Sequence, residues 1–199
     1  MALEDIASLR AVHSSTVLQP CDANQTAKLV AAMADTEGIV FLRTLRPNTP
    51  VIYDADEDFE IGGSRVLRSS VTDDVTVVAS GVTVPEAMQA AETLAGEDIG
   101  VRVIDLYSIK PIDVEGLRAA AEATGRIITV EDHYPEGGVG DAVLAALAES
   151  GAEARVVKLA VDDMPHSGKP AELLAAFGID ADGIANAARQ LIREPIATS

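Results

Sequence analysis

The chain has 199 residues, of which 48% are hydrophobic and 3% aromatic, so it can bury at least one core built from aliphatic side chains. Its formal net charge of −17 would repel the phosphates of nucleic acids and of anionic lipids, so neither is expected as a partner. No apolar run is long enough to span a membrane, and the first ten residues lack the pattern of a secretory signal. The lone cysteine, Cys21, cannot form a disulfide within the chain, which fits a cytoplasmic location.

The first 60 residues predict part of an α/β unit. The run STVLQP (15–20) indicates a strand, residues 22–35 a helix, and GIVFL (38–42) a second strand. Residues 47–65 are interpreted as a linker, and their acidic run (54–60) as a solvated surface segment rather than a metal site. A fragment of this size cannot form its own core, so further sequence is expected upstream, and this part is expected to be less protected than the rest.

From residue 75 onward, predicted strands alternate with predicted helices, which is the pattern of a mostly parallel sheet with helical crossovers. The predicted strands are 75–80, 101–106, 127–130 and 154–160. Helices are expected to begin near Pro85, at Asp113 and near residue 141, and two more close the chain. Asp113 is predicted as a helix N-cap and Gly125 as the residue that ends the same helix. The fold class is therefore α/β.

Four segments, taken in order, resemble the carboxy-terminal end of transketolases: RTLRP (43–47), YSIKPID (107–113), VEDHYPEGGVGDAV (130–143) and SGKPAELLAAFGID (167–180). The resemblance runs along nearly all of the chain. It implies that residues 1–60 are the tail of a domain that binds the pyrimidine of thiamine diphosphate. It also implies that residues 66–199 are a complete carboxy-terminal domain, with a mostly parallel sheet in a three-layer α/β/α arrangement.

The resemblance implies the carboxy-terminal portion of an enzyme that moves a two-carbon ketol unit between sugar phosphates, as in the pentose phosphate pathway. The complete enzyme would use thiamine diphosphate and a divalent metal, magnesium or calcium. The Gly-Asp-Gly motif that holds this cofactor does not occur here, and the activating glutamate is expected upstream of Met1. This chain alone is therefore predicted to be inactive and to bind no cofactor. Its expected partners are the missing domains, a second copy in a homodimer-type assembly, and a sugar phosphate.

Two arginines in RTLRP are candidate ligand-binding residues. Arg43 and Arg46 follow an apolar strand, and the carboxyl ends of strands are the usual ligand sites of α/β sheets. A guanidinium fork matches two phosphate oxygens. The resemblance implies that the second arginine, Arg46, contacts the phosphate of the sugar substrate, although Leu45 stands where serine is common. The alternative for a loop arginine is a surface salt bridge.

The segment IITVEDHYPEGGVGD (127–141) joins a predicted strand, a polar tip and a glycine-rich turn. Such a turn could present backbone N–H groups to a phosphate, but the dinucleotide fingerprint is incomplete because Val143 occupies the third glycine position. Glu131, Asp132 and His133 could be an acid–base group or metal ligands. Adjacent residues of an extended chain point to opposite faces, so a hydrogen-bonded corner or a dimer contact is the favoured interpretation.

The remaining polar candidates have weaker patterns. Ser64, Ser80 and Ser167 lack the context of a nucleophile elbow. His13 and His166 do not fall where the family places the histidines of its substrate channel, and His166 is interpreted as a surface residue. Two alternatives to a transketolase remain. One is a related thiamine-dependent enzyme, such as a 2-oxoacid dehydrogenase β subunit or a deoxyxylulose-phosphate synthase. The other is a non-catalytic interaction module.

Overall fold

The computed structural model describes residues 2–44, 46 and 48–194, and these residues form eight strands and seven helices. The strands are β1 (Ser15–Leu18), β2 (Ile39–Leu42), β3 (Arg65–Arg68), β4 (Val75–Ala79), β5 (Val101–Asp105), β6 (Ser108–Lys110), β7 (Arg126–Val130) and β8 (Arg155–Leu159). The helices are α1 (Asp5–Ala11), α2 (Ala23–Ala34), α3 (Thr83–Ala95), α4 (Val114–Thr124), α5 (Val139–Ser150), α6 (Pro170–Ala176) and α7 (Ala181–Arg193). None of the helices in these ranges is both long and apolar enough to cross a membrane.

The larger sheet has five strands in the order β3-β5-β4-β7-β8. Strands β4, β5, β7 and β8 are parallel, and β3 joins the edge in the antiparallel direction. All five residues of β4 are buried, because the strand is covered on both faces. Such burial explains why this strand is a run of β-branched residues rather than an alternating pattern. The predicted mostly parallel sheet is confirmed.

Helices cover both faces of the larger sheet. Helices α3 and α7 pack together on one face, where Val84, Leu94 and Ile184 are fully buried. Helices α4 and α5 pack together on the other face, where Leu117 and Val143 are fully buried. The arrangement is the expected three-layer α/β/α fold.

Helix α4 illustrates how local sequence sets the helix ends. The carboxylate of Asp113 accepts a hydrogen bond from the backbone N–H of Gly116 at 2.8 Å, which satisfies one of the free donors in the first turn. Gly125 ends the helix with a φ of 61°, in the left-handed region that glycine adopts without a steric penalty. Both predicted caps are confirmed. Helices α3 and α5 each begin two residues before the predicted start, at Thr83 and Val139.

The smaller sheet has three strands in the order β2-β1-β6. Strand β2 is parallel to β1, whereas β6 is antiparallel to it. The sequence predicted neither β6 nor β3 nor α1, because each is short and has no regular apolar period. Strand β6 has only three residues and follows β5 closely. Since β6 belongs to the later part of the chain, the first 60 residues share a sheet with the part that follows residue 66.

The predicted linker is packed against the fold. Up to residue 64, its described residues form no helix or strand, but Tyr53 and Phe59 are 4% and 6% exposed. Phe59 makes edge-to-face contacts with Tyr53 at 4.8 Å and with Tyr107 at 5.4 Å between ring centroids. Such contacts stabilise the docked segment beyond the apolar area that it buries. The acidic side chains around Phe59 are largely exposed, and the domain limits at residues 60 and 66 remain predictions.

Hydrogen exchange should distinguish the two neighbouring strands of the smaller sheet. Every residue of β1 is buried and β1 pairs on both sides, whereas β2 pairs on one side only among the described residues and its Ile39 is 53% exposed. Within the first 60 residues, β2 is therefore the strand for which we expect low protection. We expect β2 amides to exchange faster than β1 amides, because an unpaired edge opens more readily. Equal protection of the β2 and β1 amides would contradict this expectation.

Candidate functional site

The first arginine of RTLRP is buried at the carboxyl end of β2. Arg43 is 3% exposed, and its backbone N–H donates to the carbonyl oxygen of Leu18 at 2.8 Å. Its Nε lies 3.2 and 3.1 Å from the two carboxylate oxygens of Asp5. Its Nη1 donates to Oδ1 of Asp132 at 2.6 Å, and its Nη2 donates to the main-chain oxygen of Asp132 at 3.1 Å. Arg43 therefore joins β2 to the first turn of α1 and to the segment that follows β7.

Two carboxylates balance the charge of this buried guanidinium. Burial alone would lower the pKa of Arg43, but the charges and hydrogen bonds of Asp132 and Asp5 outweigh burial, so the pKa is raised. The side chain of Asp132 is 14% exposed, and its Oδ1 also accepts from Nε2 of Gln19 at 2.9 Å. Removing the arginine would be costly, because it would leave both carboxylates without their buried cation.

The second arginine of RTLRP differs from the first in its exposure and in its hydrogen-bond and ion-pair partners. Arg46 is exposed, and it makes no hydrogen bond or ion pair with the residues that the structure describes. The surface salt bridge that was the alternative interpretation is thus not seen within this part of the chain. Leu45, the mild departure from the family motif, and Pro47 lie outside the described residues. Among the described residues, the donors of Arg46 therefore have no partner, whereas the donors of Arg43, three residues earlier, are engaged.

A crevice of about 440 Å³ lies beside this loop. It runs between the start of α2 and the loop residues Thr44, Asn48 and Thr49. Asp22 caps α2 by accepting from the backbone N–H of Gln25 at 2.7 Å. Hydroxyl and amide groups line the crevice on the loop side, whereas Pro20, Ala23 and Ala27 are among the residues that line it elsewhere.

The glycine-rich turn after β7 binds a carboxylate of the protein itself. Glu131 is 1% exposed, and its two carboxylate oxygens accept from the backbone N–H groups of Val139 at 2.5 Å and Gly140 at 2.9 Å. These N–H groups belong to the first turn of α5, where free donors and the helix dipole favour an anion. A Cβ at Gly138 would overlap the Glu131 carboxylate and lie 2.8 Å from Nδ1 of His133. The glycine therefore permits the close approach of an internal anion, and the turn is structural.

His133 connects the same corner to α1. Its Nε2 accepts from the backbone N–H of Ala7 at 3.3 Å, and its Nδ1 lies 2.6 Å from the main-chain oxygen of Tyr134. This pattern assigns the proton to Nδ1 in a neutral ring. Burial lowers the pKa of His133, which favours the same neutral form. Glu131, Asp132 and His133 thus form the hydrogen-bonded corner that the sequence favoured, and each side chain has a different partner.

A second polar cluster also links the early and late parts of the chain. Asp105, at the end of β5, is fully buried, and its Oδ2 accepts from the hydroxyl of Tyr53 at 2.8 Å and from Nε2 of Gln25 at 2.7 Å. Burial raises the pKa of Asp105 to about 6, although these two hydrogen bonds oppose the rise. Cys21 is buried 3.6 Å from the same oxygen, and burial raises the pKa of its thiol. A thiol held in this way is a poor nucleophile.

The structure brings none of the other candidates into the Arg43 cluster. Three of them are exposed on loops: His13, His166 and Ser167. Ser64 donates to the helix-capping carboxylate of Asp113 at 2.7 Å. Ser80 is buried and donates to a main-chain carbonyl at 3.0 Å. These serines therefore have structural partners.

The family assignment follows from comparison with known proteins. The family model described as "Transketolase, C-terminal domain" matches residues 63–184. The chain is 52% identical over 194 residues to human transketolase and 51% identical to the rat enzyme. The chain belongs to the transketolase family. In each comparison 96% of this chain is covered but only 31% of the relative, so the chain spans about a third of the length of these enzymes.

Solved structures agree with this assignment. A structure described as a split gene transketolase, an inactive β4 tetramer, has a TM-score of 0.88 and 37% identity, with 96% of this chain and 62% of that chain covered. A transketolase mutant from Pichia stipitis has a TM-score of 0.73 and 20% identity, with 96% of this chain and 27% of that chain covered. The first supports family and fold together, and the second supports the fold alone.

The family implies thiamine diphosphate and a divalent metal in the complete enzyme, but the residues of this chain do not fit either group. The backbone N–H groups that could receive a diphosphate at α5 already bind Glu131. Within the described ranges, no three histidine, cysteine or acidic side chains are placed to hold a metal ion. A diphosphate could not bind these N–H groups of α5 without displacing Glu131.

Sequence reasoning missed the partners of Arg43. Asp132 was noted as part of a polar triplet, but nothing in the sequence connects it to an arginine 89 residues away. Asp5 carries no signal apart from its acidic position in the first turn of a helix that was itself not predicted. Only an alignment of covarying positions could have suggested either pair.

Substitution of Glu131 tests the contact between its carboxyl group and the first turn of α5. At pH 5, Glu131→Gln should change the free energy of unfolding by less than about 1 kcal/mol, because the protonated acid and the amide each place one donor and one acceptor against the two backbone N–H groups. Burial raises the pKa of Glu131 to about 7, so its contribution to stability is complete below its ordinary pKa and declines as the pH rises through about 7. The wild type should therefore lose stability relative to Glu131→Gln between about pH 5 and pH 8, as measured by urea denaturation.

The matched control for this test is Glu136→Gln, in an exposed residue of the same turn. It should change stability by less than about 0.5 kcal/mol at either pH. A wild-type advantage over Glu131→Gln that grows with pH would show that the two backbone N–H groups outweigh burial and that the direction given for the pKa is wrong.

Proposed function

We propose that this chain is the carboxy-terminal portion of a transketolase that transfers a two-carbon ketol unit between sugar phosphates, and that Arg46 binds the phosphate of the substrate. The observation that carries the proposal is that Arg46, in the loop after β2 of a member of the transketolase family, is exposed and has no hydrogen-bond or ion-pair partner among the described residues. The proposal assigns substrate binding, and no bond-making step, to this chain.

The geometry of the loop supports a phosphate contact. Arg46 lies where strands of an α/β sheet usually meet their ligands, and a guanidinium can donate two parallel hydrogen bonds to one phosphate. The net charge of the chain is −17, so an anionic substrate needs a local cation in order to approach. Arg46 supplies that cation in the same loop as Thr44 and Asn48, which line one side of the crevice.

The remaining domains would come from the same gene or from a separate subunit. The chain covers 31% of human transketolase, and β2 offers an edge at which another strand could pair. Those domains would hold thiamine diphosphate and its metal, whose chemistry carries the ketol unit. A homodimer-type assembly in the cytoplasm is part of the same proposal. A similar split gene subunit is described as an inactive tetramer, which supports inactivity of this chain on its own.

The isolated chain should show neither transketolase activity nor specific binding of thiamine diphosphate, because it lacks the Gly-Asp-Gly motif by which the family holds the cofactor and because Glu131 occupies the backbone N–H groups of α5. The measurement is a calorimetric titration with thiamine diphosphate and magnesium. The same titration of the chain combined with the missing domains provides the positive control. A stoichiometric heat signal from the chain alone would contradict the proposal.

Arg46→Ala, placed in the complete enzyme, should weaken the binding of phosphorylated substrates by about 1.5–3 kcal/mol, the range for a lost charged hydrogen bond. That loss corresponds to roughly 10- to 150-fold in KM or in kcat/KM. Arg46→Lys should recover part of the loss, since lysine keeps the charge without the planar fork. Donors without a phosphate, such as hydroxypyruvate, should keep their KM because they make no such contact.

A suitable control is Arg193→Ala, which removes another exposed arginine at the end of α7. Arg43→Ala is not a usable control, because it would leave Asp5 and Asp132 without their buried cation. If Arg46→Ala weakens phosphorylated and unphosphorylated donors equally, Arg46 does not bind phosphate.

A further inference from the structure

A buried ion-pair cluster, formed by Arg43, Asp5 and Asp132, lies directly before the exposed arginine of the RTLRP loop. We propose that Asp132 acts through Arg43 to position Arg46, so that a residue of the carboxy-terminal domain controls how tightly the complete enzyme binds phosphorylated sugars. Asp132 falls within the matched carboxy-terminal domain, whereas the two arginines precede it. The inference rests on the proposed role of Arg46. Asp132 is a positioning residue that does not touch the substrate.

Every nitrogen of the Arg43 guanidinium group makes a hydrogen bond. Nε faces Asp5, and Nη1 and Nη2 donate to the side chain and the main chain of Asp132. A guanidinium is planar, so contacts at all three nitrogens fix the orientation of the whole group. Its backbone N–H is also held, by the carbonyl oxygen of Leu18 at 2.8 Å. The start of the loop therefore has a defined position and direction.

Hydrogen bonds hold both ends of the loop that carries Arg46. At its far end, the backbone N–H groups of Ile52 and Tyr53 donate to Oδ2 of Asp22 at 2.7 and 2.9 Å. Between these anchors, the described residues 44, 46 and 48–51 form no hydrogen bond with one another or with the rest of the described chain. The position of Arg46 is therefore set by the anchors, and Arg43 is the nearer of the two.

Of the two acids that bind Arg43, Asp132 is the one to substitute. Its bond to Nη1 is the shortest that Arg43 makes, at 2.6 Å, and Gln19 orients the same carboxylate. If Asp132 loses its carboxylate, Asp5 still balances the charge of Arg43, so the fold retains a paired cation. Substitution of Asp132 should thus loosen the anchor without leaving a buried charge alone.

The test uses Asp132→Ala and Asp132→Asn in the complete enzyme, formed from this chain and the missing domains. Asp132→Ala should raise the KM of a phosphorylated ketose donor by between about 3-fold and 30-fold, less than Arg46→Ala, because a displaced binding group loses part of its contact. The KM of hydroxypyruvate as donor should stay within about 2-fold. Asp132→Asn keeps an acceptor oxygen but loses the charge, so its effect should be intermediate.

The double variant Asp132→Ala with Arg46→Ala shows whether Asp132 acts through Arg46 or affects substrate binding independently of it. If Asp132 acts through Arg46, the double variant should be no worse than Arg46→Ala alone, because the group to be positioned is gone. The matched control is Asp141→Ala, which breaks another 2.6 Å ion pair, with Lys158, but does not contact Arg43. It should leave the ratio of the two KM values unchanged.

The outcomes distinguish this inference from the proposed function on which it rests. If Arg46→Ala is selective for phosphorylated donors but Asp132→Ala is not, or if their effects multiply, the positioning role is overturned and the phosphate contact stands. If Arg46→Ala is itself unselective, both are overturned. A selective effect of Asp132→Ala that disappears in the Arg46→Ala background establishes the positioning role.

Discussion

The structure depends on one buried guanidinium that holds three segments together. Arg43 ends β2 and binds acids that lie 38 and 89 residues away in the sequence. Such a group must be paired wherever it is buried, because an unpaired charge inside a protein is strongly destabilising. The positions of α1, of the tip of β7 and of the RTLRP loop are therefore coupled. A change at any of the three alters the surroundings of the same cation.

Two other buried acids complete this organisation. Glu131 occupies the N-terminus of α5, and Asp105 gathers Tyr53 and Gln25 at the end of β5. Both carboxylates lie where strands of the larger sheet end, which is where an α/β protein usually binds an external anion. Here these positions serve the fold. The phosphate contact that we propose for Arg46 lies on an exposed loop that follows β2 of the smaller sheet.

The regular part of the fold could be predicted because its signals are local. The β-branched strands β4, β5, β7 and β8 and the caps at Asp113 and Gly125 follow from short stretches of sequence. The predictions failed where pairing supplies the stability. Strand β6 has only three residues, and α1 buries only Ile6 among its seven. Neither has a period long enough to be recognised, so both exist because of what they pack against.

The sequence by itself determined the family, the α/β class and the choice of Arg46 as a phosphate-binding candidate. These conclusions rest on motifs and on local patterns of apolar residues. The tertiary structure alone decided that Arg43 is buried and Arg46 exposed, although both are arginines of one five-residue motif. It also decided that the glycine-rich turn receives Glu131 rather than a ligand. The physical reason is that burial and charge pairing depend on residues distant in the chain, whose approach no local pattern records.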